Sequence, residues 1–253
     1  MADAPGGAGS PMRSVERAFD VLGVLEQARG PLRLSEVARR AGLHVATTQR
    51  LLNVLIARGY AVREETGYQV GPHVLTAAHT FLVGSRLNQA STPVMQQLAA
   101  ATGLAVALFI PVTGARVQIA RVEGRNPLRY VLPIGERLPL HVGAGKSLLP
   151  WLPEEERERV ITEACPFTTA AGDRVTAAGL RADLAAVKER GYAVSVGERV
   201  GDVTGISAPI LGASGLAGCV TVVARVHELT PDDTAPLAAE LLRAAEAIGS
   251  LLP

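Results

Sequence analysis

The stretch that constrains this chain most is a compact, basic segment between residues 29 and 59. It reads RGPLRLSEVARRAGLHVATTQRLLNVLIARG and contains two short helical patterns separated by Gly42. Glycine at this place suits the left-handed backbone that ends a helix. Six arginines in the segment stand against a single acid, Glu36. These features predict a helix-turn-helix with a cationic surface.

The flanking residues extend this pattern on both sides. Ser14 is expected to cap a preceding helix, and Ser35 is expected to cap the second helix. The third helix should run from about Val45 to Arg58, and YAVREETGYQVG alternates around residues 65–67 as a β-hairpin does. Three helices and a hairpin predict a winged helix-turn-helix over residues 13–73, after a disordered tail over residues 1–12. The expected apolar face of the first helix is Val15, Ala18, Phe19, Leu22 and Leu25.

The third predicted helix carries two different faces. One face should pack on the first two helices and consists of Thr48, Leu51, Leu52 and Leu55. The opposite face is small or hydrogen-bonding, as contact with base edges in the major groove requires. A merely solvated face is the alternative, but such faces usually carry Glu and Lys pairs, and this one has none. The predicted DNA-binding residues are Ser35, Arg39, Arg40, His44, Ala46, Thr47, Gln49, Arg50, Asn53 and Arg63.

The charge distribution agrees with double-stranded DNA as the partner. The whole chain has a net charge of +1, but residues 13–73 hold nine arginines and six acids. Arginine is the side chain best suited to bidentate contacts with phosphate and guanine. We therefore expect Thr47, Gln49 and Arg50 to read bases, while phosphates are contacted by Arg39, Arg40 and Arg63.

The remainder of the chain predicts a linker and a second domain. Residues 74–90 continue a helical pattern whose apolar stripe would pack either on a partner chain or on its own domain. That stripe is Val74, Ala77, Ala78, Phe81 and Leu82. From Ser91 to residue 253, hairpins with helices before and after them predict an α+β fold with an antiparallel sheet, rather than a parallel doubly wound one.

Other chemistry finds little support in the sequence. Gly143–Ser147 is similar to a phosphate-binding loop, but Leu140 stands where that motif needs a glycine. Its backbone N–H groups could still receive a carboxylate. No histidine pair has metal-ligand spacing, and Cys165 and Cys219 are more typical of buried residues than of nucleophiles. We expect no metal, no cofactor and no enzymatic activity.

Two long uncharged stretches, residues 98–115 and 203–224, are interrupted by glycine and proline. This punctuation is typical of buried strands and not of membrane spans. The N-terminus lacks the basic and apolar regions of a signal peptide. A cytoplasmic protein is therefore expected.

Several separated motifs resemble the IclR family of bacterial transcriptional regulators. They are RSVERAFDVLGVL and the segment above in the first third, GERLPLHVGAGKSLL at 135–149, and RGYAVSVGERVGDVTGISAPIL at 190–211. The resemblance implies a winged helix, a linker helix and a GAF-like effector domain over residues 91–253. It also implies dimers, or dimers of dimers, on palindromic operators, with a small organic ligand as effector. The effector residues implied are Gly143, Ala144, Gly145, Val203, Gly205, Ser207, Thr221 and Val223.

The effector is expected to be a carboxylic or aromatic acid, held by backbone amides at Gly143 and Ala144. Gly205 and Val223 stand where some family members carry polar or sulfur side chains, which predicts a more apolar pocket here. Two other functions remain open at this point. The second domain could serve only to oligomerise a DNA-bound dimer, or the Gly143–Ser147 turn could belong to a nucleotide-responsive switch or enzyme.

Overall fold

A computed structural model describes residues 11–125, 132–229 and 231–253. The expected tail over residues 1–12 therefore lies largely outside the described residues. The chain divides into two compact units, which meet in sequence between Gly84 and Ser85. Each unit has its own fold.

The first unit is a winged helix-turn-helix, as the sequence predicts. Its helices and strands are α1 Pro11–Glu26, α2 Leu34–Arg40, α3 Val45–Ala57, β1 Ala61–Glu64, β2 Gly67–Val70 and α4 His73–Gly84. Gly42 lies between α2 and α3 with a φ of 65°, a backbone conformation that glycine adopts without steric cost. Gly59 closes α3 with a φ of 75°. The tight turn and the helix stop both stand where the glycines predicted them.

The start of this unit differs from the sequence-based expectation. α1 begins at Pro11, so Ser14 is not its cap and the helix enters the segment that was expected to be a tail. The residue that precedes α2 as its cap is Arg33, and Ser35 lies exposed in the first turn. Val15 and Phe19 are also exposed, because only the C-terminal half of α1 lies over the core. The core residues that α1 supplies are Val21, Leu22 and Leu25.

The wing is attached to the helices through a short β-bridge. Leu32 and Tyr68 exchange backbone hydrogen bonds in both directions, each with a donor–acceptor distance of 2.8 Å. Gly67 allows this approach, since a Cβ atom there would lie 2.3 Å from the Leu32 carbonyl oxygen. Tyr68 is consequently buried against α1 and α3. The hairpin is thus part of the core of this unit.

The segment expected to form one linker helix is divided. α4 ends at Gly84, and a new helix, α5, begins after Ser85, whose side chain accepts a hydrogen bond from the Asn88 amide. α4 buries none of its residues. Within the predicted stripe, Val74 and Leu82 are half-buried, whereas Ala77, Ala78 and Phe81 are exposed, as are the neighbouring residues Leu75 and Val83.

The second unit is an antiparallel α+β domain, as predicted. Its elements are α5 Arg86–Thr102, β3 Ala105–Val112, β4 Ala115–Val122, β5 Arg137–Leu138, α6 Gly145–Leu148, α7 Glu154–Ala164, β6 Phe167–Thr168, β7 Arg174–Val175, α8 Ala177–Arg190, β8 Ala193–Val196, β9 Val203–Gly212, β10 Gly215–Arg225 and α9 Pro231–Gly249. Six strands form the main sheet in the order β5-β4-β3-β10-β9-β8. Every neighbouring pair in it is antiparallel.

The two faces of this sheet have different roles. One face packs against α5 and α9 and is almost wholly aliphatic, with Val106, Val220 and Val222 fully buried. The other face is covered by α6, α7 and α8. Because side chains alternate along a strand, Thr221 and Val223 point to this second face, and their cross-strand partners Ser207 and Gly205 lie beside them. This face and the loop before α6 enclose the pocket described below.

Candidate DNA-reading surface and ligand pocket

The two expected faces of α3 are present in the structure. Thr48, Leu52 and Leu55 are buried, and Leu51 is half-buried. On the opposite side, the exposed residues are Ala46, Arg50 and Asn53, whereas Thr47 and Gln49 are half-buried. The division of burial that the helical period predicts is thus confirmed. The base-reading role of the outer face stays a prediction.

Gln49 is held in one orientation by two neighbours. The Tyr68 hydroxyl donates to Gln49 Oε1 over 3.2 Å, and Gln49 Nε2 donates to Asn53 Oδ1 over 2.9 Å. A side-chain amide that is fixed in this way loses less conformational freedom when it meets a base edge. Sequence reasoning did not identify Tyr68 as a functional residue, because it lies 19 positions away on the wing.

The arginines proposed to contact phosphates differ in their surroundings. Arg39 and Arg40 both donate to the Glu36 carboxylate, at 2.7 and 2.6 Å. These hydrogen bonds, the one from Arg39 first, lower the pKa of Glu36 to about 2. Arg63, on β1, is exposed and lies 5.8 Å from the centre of the Tyr68 ring. The three side chains are therefore accessible, and two of them are oriented by Glu36.

The exposed residue His44 directly precedes α3, but its side chain makes no capping hydrogen bond. Its carbonyl oxygen accepts hydrogen bonds from both the amide and the hydroxyl of Thr48, at 3.0 and 3.1 Å. The backbone at His44 therefore fixes the start of α3.

A pocket of about 70 Å³ lies on the second face of the main sheet. Seven of the eight predicted effector residues line it: Gly143, Ala144, Val203, Gly205, Ser207, Thr221 and Val223. Gly145 does not, because its Cα faces the preceding loop, where an added Cβ would lie 2.3 Å from the Leu140 carbonyl oxygen. Thr221 donates a hydrogen bond to the Ser207 hydroxyl over 3.0 Å. The structure thus brings together residues that lie up to 80 positions apart in the sequence.

The pocket lining is mainly apolar but also contains polar groups that the sequence did not suggest. The expectation of a more apolar pocket than in other family members, which rested on Gly205 and Val223, stays a prediction. Arg116 from β4 and Arg199 from the loop after β8 line it, as does Ser195. The lining residues that sequence reasoning missed are Phe109, Arg116, Leu132, Leu138, Ser195, Arg199, Val200 and Thr204.

The amide cradle at the glycine-rich turn is partly occupied by the protein itself. Gly143, at a φ of 61°, donates its backbone N–H to Glu198 Oε2 over 2.7 Å. The other oxygen of Glu198 accepts from the ammonium group of Lys146, which also donates to Asp183 over 2.7 Å. Lys146 is buried, and its ammonium group reaches the Val194 carbonyl as well. The expected free cradle at Gly143 and Ala144 is therefore reduced to the amide of Ala144.

Among the described residues, no group of three His, Cys, Asp or Glu side chains could hold a metal ion. Cys165 and Cys219 are both free, and burial raises the pKa of the Cys219 thiol. In the same part of the chain, no helix is long and apolar enough to cross a membrane.

Comparison with protein families gives two matches that together span most of the chain. A model described as the IclR helix-turn-helix domain matches residues 14–65, and one described as the bacterial transcriptional regulator IclR C-terminal domain matches residues 79–250. The regulator BhcR of Paracoccus denitrificans is 30% identical over 209 residues, which cover 81% of this chain and 75% of that protein. The repressor IclR of Escherichia coli is 26% identical over 253 residues, covering 94% and 89%.

Solved structures share the fold over nearly the whole chain. An IclR regulator from a Silicibacter species aligns with a TM-score of 0.80 at 26% identity, covering 95% of this chain and 98% of that one. An IclR homologue from Microbacterium hydrocarbonoxydans, solved with 4-hydroxybenzoate, aligns with a TM-score of 0.71 at 24% identity, covering 94% and 98%.

Proposed function

Since this chain belongs to the IclR family of bacterial transcriptional regulators, we propose that α3 reads its DNA operator and that the pocket beside Gly143 binds the effector. The observation that carries the proposal for DNA is the outer face of α3, where Gln49 is already oriented by Tyr68 and Asn53. Such an amide can pair bidentately with adenine.

In this proposal, the winged helix contacts DNA in two ways. Thr47, Gln49 and Arg50 contact base edges in the major groove and provide sequence preference. Phosphates are contacted by Arg39, Arg40 and Arg63, which fix the register without reading sequence. Ser35, His44, Ala46 and Asn53 complete the contact surface, and all four are exposed.

Replacing Gln49 or Arg50 with alanine should weaken operator binding by about 1–3 kcal/mol, because each change removes one base contact. Gel-shift titrations with the operator and with a random duplex of equal length measure this effect. Gln96→Ala, an exposed glutamine on α5, is the matched control and should leave both affinities unchanged. An equal loss on both duplexes would contradict base reading by these residues. The DNA upstream of the protein's own gene is the first operator to try.

We further propose that the protein acts as a dimer, or a dimer of dimers, on a palindromic operator in the bacterial cytoplasm. The apolar surface of α4 supports self-association, since the large side chains of Leu75 and Phe81 are exposed in their own unit. An effector that binds two arrangements of the dimer with different affinity would change the spacing between the two winged helix-turn-helix units. Analytical ultracentrifugation of the full chain tests the assembly directly.

For the effector, we propose a carboxylic or aromatic acid. One structural neighbour was solved with 4-hydroxybenzoate, and the pocket here combines hydroxyl groups with two arginines. Operator gel shifts repeated with a panel of such acids test this role. If none of them changes operator affinity or thermal stability, the result would favour the alternative in which the second unit only oligomerises the protein.

A nucleotide-responsive switch or enzyme at Gly143–Ser147 is less well supported, because Glu198 and Asp183 surround the Lys146 ammonium and would repel phosphates. Thermal protection by ATP or GTP would favour that second function.

A further inference from the structure

Arg116 is a buried cation with unused hydrogen-bonding capacity. It lies on β4 and is 2% exposed, and its side chain lines the pocket. Its Nη1 donates to the carbonyl oxygens of Pro139 and of Val142, the latter over 2.8 Å. Its Nε is buried and has no acceptor. Its Nη2 lies beside Gly143, where an added Cβ atom would be 3.1 Å away from it. The protein therefore leaves hydrogen-bonding capacity of this guanidinium group unused at the edge of the pocket.

The charge of Arg116 is only partly balanced, because the Glu198 carboxylate acts on it electrostatically but forms no ion pair with it. Within the described ranges, no ion pair involves Arg116. The pocket lining contains a second cation, Arg199, and neither aspartate nor glutamate. Burial lowers the pKa of Arg116 to about 10, which leaves it protonated at neutral pH. A buried charge is costly unless it is paired, so an anion entering this pocket would relieve that cost.

The carboxylate of Glu198 is already hydrogen-bonded to other groups of the protein. Glu198 accepts from the Gly143 amide and from the buried Lys146, and Lys146 also holds Asp183. The amides of Gly145 and Lys146 donate to backbone carbonyls of the same turn. Among the described amides from 143 to 146, that of Ala144 has no acceptor, and Ala144 lines the pocket. An incoming carboxylate thus finds free donors at Arg116 and Ala144, not at Gly143.

We propose that Arg116 is the specificity-determining anchor of the effector pocket, and that it receives the ionised carboxylate of a small organic acid together with the Ala144 amide. Glu198 occupies the Gly143 amide in place of the ligand. This inference rests on the proposed role of the pocket as the effector site. The pocket has a volume of about 70 Å³, and the hydroxyls of Thr221 and Ser207 would face polar substituents of the acid.

A purely structural role for Arg116 is the competing explanation, since Nη1 joins two carbonyls of the loop before α6. Matched ligands separate the two roles, because an acid and its amide share shape and differ in charge. The probes are acetate with acetamide, benzoate with benzamide, and 4-hydroxybenzoate with 4-hydroxybenzamide. Calorimetric titration of the full-length protein at neutral pH gives each affinity.

At least one acid should bind the wild-type protein ten-fold or more tightly than its amide. Arg116→Gln should reduce the affinity for that acid by roughly 10- to 100-fold, the range expected for a charge-assisted hydrogen bond. The affinity for the matching amide should stay nearly unchanged. Arg116→Lys retains the positive charge but not the planar guanidinium group, so it should lose less of the affinity for the acid than Arg116→Gln does. It keeps the test informative if Arg116→Gln does not fold. Arg181→Gln, an exposed arginine on α8, is the matched control and should change nothing.

Three results would overturn the inference: no acid binds, an acid and its amide bind equally, or both Arg116 variants retain the acid affinity of the wild type. Equal binding of acid and amide would leave the pocket as an effector site without an anion anchor. Binding that depends on Arg116 but leaves operator affinity unchanged would instead refute the proposed regulation and leave the anchor standing.

Discussion

Replacing Lys146 with methionine removes the cation at the centre of the network behind the pocket. The Lys146 side chain is 7% exposed, and its ammonium group contacts the carboxylates of Asp183 and Glu198, whose side chains are 36% and 15% exposed. Methionine preserves the length of the side chain but not its charge. The half-buried carboxylate of Glu198 is then left with one hydrogen bond, from Gly143.

The expected loss can be placed within a known range. Removing one partner of a fully buried ion pair costs about 3–5 kcal/mol. Asp183 is exposed enough to be hydrated, and Glu198 keeps its contact with the Gly143 amide, so we expect about 2–3 kcal/mol at neutral pH. For a unit of this size, such a loss lowers the melting temperature by roughly 5–10 °C. The double variant Lys146→Met with Glu198→Gln should regain about half of the lost free energy of unfolding, because a neutral amide does not require a neighbouring cation.

Urea unfolding followed by the fluorescence of Trp151, the single tryptophan of the chain, reports on the second unit. Lys188→Met, the other lysine of the chain, is the matched control. It should cost at most about 1 kcal/mol, because Lys188 is exposed and loses only its contact with the Trp151 ring, whose centre lies 5.8 Å from the ammonium group. Circular dichroism follows the unfolding of both variants independently of that ring. A loss below about 0.5 kcal/mol for Lys146→Met, or a double variant no more stable than the single one, would refute this account of the network.

Two further predictions concern Tyr68 and His141. Tyr68→Phe removes the hydrogen bond to Gln49 and should weaken operator binding about two- to ten-fold, as measured by gel shift, whereas an equal loss on random DNA would contradict the positioning role. Burial, and then the charge of Arg116, lower the pKa of His141 from its ordinary value of 6.5. The unfolded chain therefore binds this proton first, so stability is complete above about pH 6.5 and falls below it. His141→Gln should make the urea midpoint depend less on pH between pH 5 and 7. The same pH dependence in the variant and the wild type would argue against this assignment.

Much of the first unit could be predicted from local sequence. Gly42 and Gly59 mark a turn and a helix end, and the spacing of Thr48, Leu52 and Leu55 defines the buried side of α3. These features depend on backbone conformation and on a period of 3.6 residues, which neighbouring residues determine. The same reasoning was wrong for Val15 and Phe19, because helical spacing identifies an apolar side but not how far the core extends beneath it.

Long-range contacts determined the sites. The resemblance located seven pocket residues, but not Arg116, which stands in an alternating strand as a solvent-facing residue would. It is buried because the loop at Pro139 and Val142 folds over it. Likewise, Glu198 meets Gly143 across 55 positions. A strand's alternation assigns a side chain to a face, whereas only the tertiary structure decides what covers that face. The sequence by itself therefore determined the reading helix, and the packing of distant elements decided the chemistry of the pocket.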